Sequence, residues 1–95
     1  MAEAAVHFPT LRMGDRGPWV RTLKLALVDL GFYWHNTVAG EANQMPNDEF
    51  DYICNVAVRD LQMTKNIPAK ELGVCDEATW RFLEQHTRLQ IPQEG

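Results

Sequence analysis

A charged turn bracketed by two glycines runs straight into a fully marked helix, and this constrains the chain more than any other feature. In Leu11-Arg12-Met13-Gly14-Asp15-Arg16-Gly17-Pro18-Trp19-Val20 the turn lies between Gly14 and Gly17, and Pro18 stands where a helix would begin. Proline at a first helical position has the φ it needs and lacks an N–H that would be orphaned anyway. Val20, Leu23, Leu27 and Leu30 follow at helical spacing and share one face of a wheel, with Trp19 on its flank. Gly31 supplies the left-handed residue that ends a helix. The spacing predicts a helix over 18–30.

Two further helices read from the same grammar. Asp51 is a good N-cap for a helix over 52–65, whose inward face is Cys54, Ala57, Val58 and Leu61, and Asn66 can end it in the left-handed conformation. Asp76 caps a third helix over 77–86, with Thr79, Trp80 and Leu83 inward. Between them, Ile67-Pro68 leaves helix two and Leu72-Gly73-Val74 reads as a short extended piece. Residues 33–47 form a long loop rich in turn formers, Gly40, Asn43, Pro46 and Asn47 among them. A weak internal repeat is visible. Gly17-Pro18-Trp19-Val20-x-x-Leu23 has the layout of Asp51-Tyr52-Ile53-Cys54-x-x-Ala57, and Leu30-Gly31-Phe32 matches Lys65-Asn66-Ile67 as a helix exit. The expected architecture is all-α: a compact three-helix domain over 10–86, with extended arms at 1–9 and 87–95.

Composition narrows the function classes. A chain of 95 residues makes one domain with a limited core. Its net charge of −4, with no cluster of four Lys or Arg, argues against nonspecific nucleic-acid binding, which needs concentrated positive charge. No apolar run approaches the roughly 20 residues needed to span a bilayer, so no membrane partner is expected. The N-terminus has neither the cationic nor the apolar region of a secretory signal, and the chain is expected to be made, and initially to stay, in the cytoplasm. Cys54 and Cys75 are the only cysteines, too few for a disulfide-stapled miniprotein, and free buried thiols are expected.

No catalytic constellation stands out. His7, His35 and His86 lie far apart, and none belongs to a metal-ligating pair such as HExxH. A Cys–His nucleophile would need an exposed thiol, and Cys54 lies on an inward face. Gly14-x-x-Gly17 lacks the Lys-Ser/Thr of a phosphate loop. Asp48, Glu49 and Asp51 read as a solvated acidic loop and cap, with a cation or amine contact as the sharper alternative. The chain is expected to be no enzyme and to carry no metal or cofactor.

Taken in order, these pieces resemble the peptidoglycan-binding domain found beside many cell-wall hydrolases and phage endolysins. The resemblance opens with Leu11-Arg12-x-Gly14-x-x-Gly17-x-x-Val20-x-x-Leu23-x-x-x-Leu27-x-x-Leu30-Gly31-Phe32. It resumes at Phe50, Ala57-Val58-x-x-Leu61-Gln62 and Ile67, and closes with Gly73-x-x-Asp76-x-x-Thr79-Trp80-x-x-Leu83. It spans about residues 10–84. Where the family has Asp-Gly-x-Phe-Gly before the second helix, this chain has Asn47-Asp48-Glu49-Phe50-Asp51, and Cys54 stands where a Thr is usual. Metalloprotease prodomains of similar fold carry a Pro-Arg-Cys-Gly switch, which is absent here.

The resemblance implies a shallow groove near the starts of helices one and two, with Asp15, Arg16, Trp34, Asp48, Tyr52 and Gln62 as candidate ligand contacts. Aromatic rings would lie against sugar faces and polar groups against amides; Gln62 has an alternative role bridging inside the fold. The helical wheel adds a second candidate surface. Leu25 and Val28 on helix one, and Val56 and Met63 on helix two, point away from the expected core, which suggests a covered face. The cover would be the arms (Val6, Phe8, Leu89 and Ile91), the long loop, or a protein partner. Two functions stay open. One is a noncatalytic wall-binding module, possibly phage-encoded, acting on peptidoglycan after lysis. The other is a structural protein reusing the fold in a virion, such as a capsid-decoration or tail-associated component, with a capsid protein or a second copy as partner.

Overall fold

The structure, a computed structural model, describes residues 7–32, 48–89 and 91–92. Its elements are three helices, α1 (Pro18–Asp29), α2 (Tyr52–Thr64) and α3 (Glu77–His86), with no strand longer than an isolated bridge among the described residues. The fold is therefore all-α, with three helices among the described residues. Residues 33–47, expected as a loop and holding Trp34, His35 and Asn47, lie outside the described residues, as does Val6 of the expected first arm.

Each helix begins and ends on a local device. Pro18 opens α1 after Gly17. Asp51 opens α2, its Oδ1 accepting from Cys54 N–H at 2.9 Å. Asp76 opens α3 and accepts from Thr79 N–H at 3.3 Å. The exits of α1 and α2 are alike. Gly31 has φ 84° and Asn66 φ 55°. The N–H one residue further on then reaches back, from Phe32 to Leu27 O at 2.8 Å and from Ile67 to Gln62 O at 3.0 Å. A left-handed residue turns the chain so that these last carbonyls find donors.

The inward faces meet in one core. Val20, Leu23, Ala26 and Leu27 of α1, Cys54, Ala57, Val58 and Leu61 of α2, and Trp80 and Leu83 of α3 are buried together, with Leu11, Phe50, Ile67 and Cys75 between the helices. Leu30, expected in the core, is half-buried and packs at its edge. α1 is buried over a wider arc than its apolar stripe, because Thr22 and Lys24 are also enclosed. Lys24 is wholly buried, and its Nζ lies 3.9 Å from Asp51 Oδ2.

Residues 11–17 act as a strap across the bundle. At one end Leu11 and Cys75 exchange two backbone hydrogen bonds, Leu11 N–H to Cys75 O at 3.0 Å and Cys75 N–H to Leu11 O at 2.8 Å. At the other end Gly14 N–H donates to Phe50 O, Gly17 N–H to Asp48 O and Phe50 N–H to Asp15 O, each at 2.9 Å. The opening turn is thus paired directly with the segment before α2. This corrects one expectation: 72–74 is not an extended piece. Residues 71–73 turn, Val74 N–H reaching Glu71 O at 3.2 Å, and the extended residue is Cys75. Gly73 holds that turn at φ 88°, where an added Cβ would run into the Asn55 side chain.

Both arms dock where they are described. Phe8 stacks on Trp80 (centroids 5.2 Å apart, planes 10° apart) and meets Trp19 edge-on at 5.9 Å, with the Arg81 guanidinium 5.0 Å over its ring. Trp80 Nε1–H donates to Pro9 O at 2.7 Å, satisfying the one polar atom of a fully buried indole. Leu89 packs against the core from the other arm.

Candidate functional site

The residues expected to bind a ligand divide into separate places. The strap's pairing with 48–50 brings Asp15, Arg16 and Asp48 together, with Tyr52 one step beyond at the start of α2. Their groups are partly committed. Asp15 Oδ2 accepts from Arg12 N–H at 2.9 Å and Asp48 offers its backbone carbonyl to Gly17, while Arg16 lies opposite Glu49 in the bridge those flanking bonds form. Tyr52 is 65% exposed. Trp34 lies outside the described residues.

Gln62 belongs to none of this, and a ligand contact for it is corrected by its surroundings. It lies far along α2 from Tyr52, about 15 Å at the rise of a helix, and is buried. Its Nε2 donates to Val74 O at 2.8 Å and to Thr79 Oγ1 at 2.9 Å, while its Oε1 accepts from Gly73 N–H at 2.9 Å. The amide is spent tying α2 to the 73–79 segment. Gln62 is a positioning residue for whatever that segment lines.

What it lines is a cleft of about 490 Å³, bounded by Thr10 and Arg12 of the strap, Pro68, Lys70, Glu71 and Val74 of the α2–α3 connection, and Asp76, Glu77 and Ala78 at the start of α3. Its volume falls within the roughly 300–1,000 Å³ of ligand sites. The Leu11–Cys75 bridge creates it by laying the strap beside the connection. Sequence reasoning missed this cleft, because Arg12 and Lys70 are far apart in the chain and no motif joins them. The one usable signal was the position of Arg12, next to an apolar Leu11 and before the Gly14 turn.

The apolar surface also differs from expectation. Leu25, Val28 and Val56 are half-buried, and Val28 packs against the core, so of the four expected partner contacts Met63 alone is well exposed, at 59%. A wheel assigns one inward face per helix, whereas α1 is enclosed on more than one side. Leu25 and Val28 line a groove of about 310 Å³ with Thr22, Ala26, Asp29 and, from the second arm, Arg88. Ile53, beside Tyr52 on α2, is exposed by 52% and was not anticipated.

Burial pushes the Cys54 thiol up to about 12 and the Cys75 thiol well above its usual range, Cys54 and Asp76 adding to the effect on Cys75. Both thiols are free and, at neutral pH, protonated and enclosed, which unfits them as nucleophiles. His86 stacks on Phe82 at 4.2 Å and His7 is exposed. No group of three or more His, Cys, Asp or Glu is placed to hold a metal ion among the described residues, and no described helix is long and apolar enough to cross a membrane. Comparison with protein-family models, with curated proteins and with solved structures gives no match.

Proposed function

We propose that this chain is a noncatalytic module that binds bacterial peptidoglycan, of phage origin and acting at the wall after lysis. The observation that carries the reading is the open cleft between strap and α3. It has both polar and apolar walls and the size of a short glycopeptide. The order of motifs from Leu11 to Leu83 supports the same reading by resemblance. The test is retention on purified sacculi, with release by soluble muropeptides. Retention that muropeptides compete away supports the module; a chain that stays in the supernatant at every concentration sinks it.

A second reading rests on a different observation. Tyr52, Ile53 and Met63 leave large apolar side chains exposed on α2, and α2 would then be an assembly face of a virion component. Self-association or capsid binding that Ile53→Asp abolishes would favour it.

A further inference from the structure

The cleft has a charge pattern that names the part of the wall it would hold. We propose, building on the wall-binding reading, that it captures the terminal carboxylate of a peptidoglycan stem peptide through Arg12 and Lys70. Two of the three acids on the cleft, Asp76 and Glu77, are already engaged within the fold. Asp76 uses both oxygens internally: Oδ1 accepts from Thr79 N–H and Oγ1–H, and Oδ2 accepts from Lys70 N–H at 3.1 Å. Glu77 is paired with Arg81 at 3.1 Å. Asp15, the acid nearest Arg12 in sequence, is spent on the Arg12 backbone N–H and leaves the guanidinium alone.

The Arg12, Lys70 and Glu71 side chains therefore have no ion-pair or hydrogen-bond partner among the described residues, and all three are exposed on the rim. Two uncommitted cations on one cleft stand out in a chain whose net charge is −4. Their backbones are held: Arg12 follows Leu11, which is buried and bridged to Cys75, and extended alternation sends the Arg12 side chain away from the core. Lys70 is pinned by its N–H on Asp76. A guanidinium presents a planar fork that matches a carboxylate with two parallel hydrogen bonds, and an ammonium adds a point charge. Pro68, Val74 and Ala78 give an apolar wall against which an apolar side chain, such as the alanine that ends a stem peptide, would lie. Glu71 opposes a second negative charge, which separates a peptide carboxylate from a phosphate.

The test uses the full chain and three soluble probes, followed by amide chemical shifts. The probes are a tetrapeptide L-Ala-D-isoglutamine-L-Lys-D-Ala with a free terminal carboxylate, the same peptide as its carboxamide, and inorganic phosphate. The acid is expected to bind, with shifts centred on Arg12, Val74 and Ala78. The carboxamide should bind about tenfold more weakly or worse, since a charge-assisted contact is lost. Arg12→Gln should bring the acid down to the level of the amide with unchanged unfolding temperature, because the side chain is exposed. Equal binding of acid and amide, shifts centred on Asp15–Tyr52, or phosphate binding as well as the acid would each overturn the assignment.

Sacculus retention separates this inference from the reading beneath it. Retention undiminished in Arg12→Gln/Lys70→Gln overturns the carboxylate site and keeps wall binding. Acid-specific binding in the cleft without retention on sacculi supports the site and overturns wall binding.

Discussion

Gln62 shows how far a single residue's role depends on what surrounds it. A surface glutamine near a groove and a buried one look the same in a motif; here three hydrogen bonds to Val74, Thr79 and Gly73 consume the amide. Gln62→Leu would strip Val74 O and Gly73 N–H of these partners while Thr79 keeps only Asp76, and a loss of about 2–4 kcal/mol is expected in urea unfolding. Lys24 was equally illegible, because an isolated lysine between Leu23 and Leu25 reads as outward, yet it is enclosed beside Asp51. The thiols give a pH prediction with a definite sign. Cys54 keeps its proton to about 12 in the fold, against 9.0 for the free thiol, so the unfolded chain releases that proton first. The contribution of Cys54 is whole below pH 9 and is lost as pH rises toward 12, by about 1.4 kcal/mol per pH unit. Denaturant unfolding of wild type and Cys54→Ala across that range should show a shallower alkaline loss in the variant. An identical slope would mean that the thiol is not protected by burial.

At the scale of elements, the three helices were legible nearly to the residue. Their starts at 18, 52 and 77 stand as expected, and the ends of α1 and α2 fall one residue short. The reason is that a helix end is encoded within one turn: a capping carboxylate before it, a left-handed glycine or asparagine after it. Asp76→Ala removes a cap that also holds Lys70, and should cost about 1–2 kcal/mol. By thermal melting that is a fall of roughly 4–8 °C per kcal/mol for a domain this small. Asn66→Gly should leave the melting temperature almost unchanged while Asn66→Ala lowers it, since alanine resists the φ of 55° that glycine accepts. The α2–α3 connection is poorly legible in the sequence for the converse reason. Whether 72–74 is extended depends on a bridge to Leu11 and an amide from α2, neither of which is local.

For the whole molecule, the arm at Phe8 joins α1 to α3 through the Phe8–Trp19–Trp80 cluster. Phe8→Ala should destabilise by about 1–3 kcal/mol and weaken the near-ultraviolet circular dichroism of the tryptophans, and an unchanged spectrum would mean that the arm is undocked in solution. Met63→Asp on exposed α2 should change stability by no more than about 0.5 kcal/mol. The shared core explains how so short a chain holds together: three helices, the strap and both described arm segments bury their apolar side chains against one another.

What the sequence by itself determined is the set of helices, their caps and their inward faces, because propensity, capping and periodicity act over a few neighbouring residues. Only the tertiary structure decided the cleft, the burial of Lys24 and the internal role of Gln62. Each depends on contacts between segments distant in the chain. The Leu11–Cys75 bridge lays Arg12 beside the Lys70–Asp76 connection, and the Arg16–Glu49 bridge spends the opening turn on the segment before α2. Backbone pairing at single residues has no period and leaves no pattern in composition, so the groups it brings together become visible only once the chain is folded.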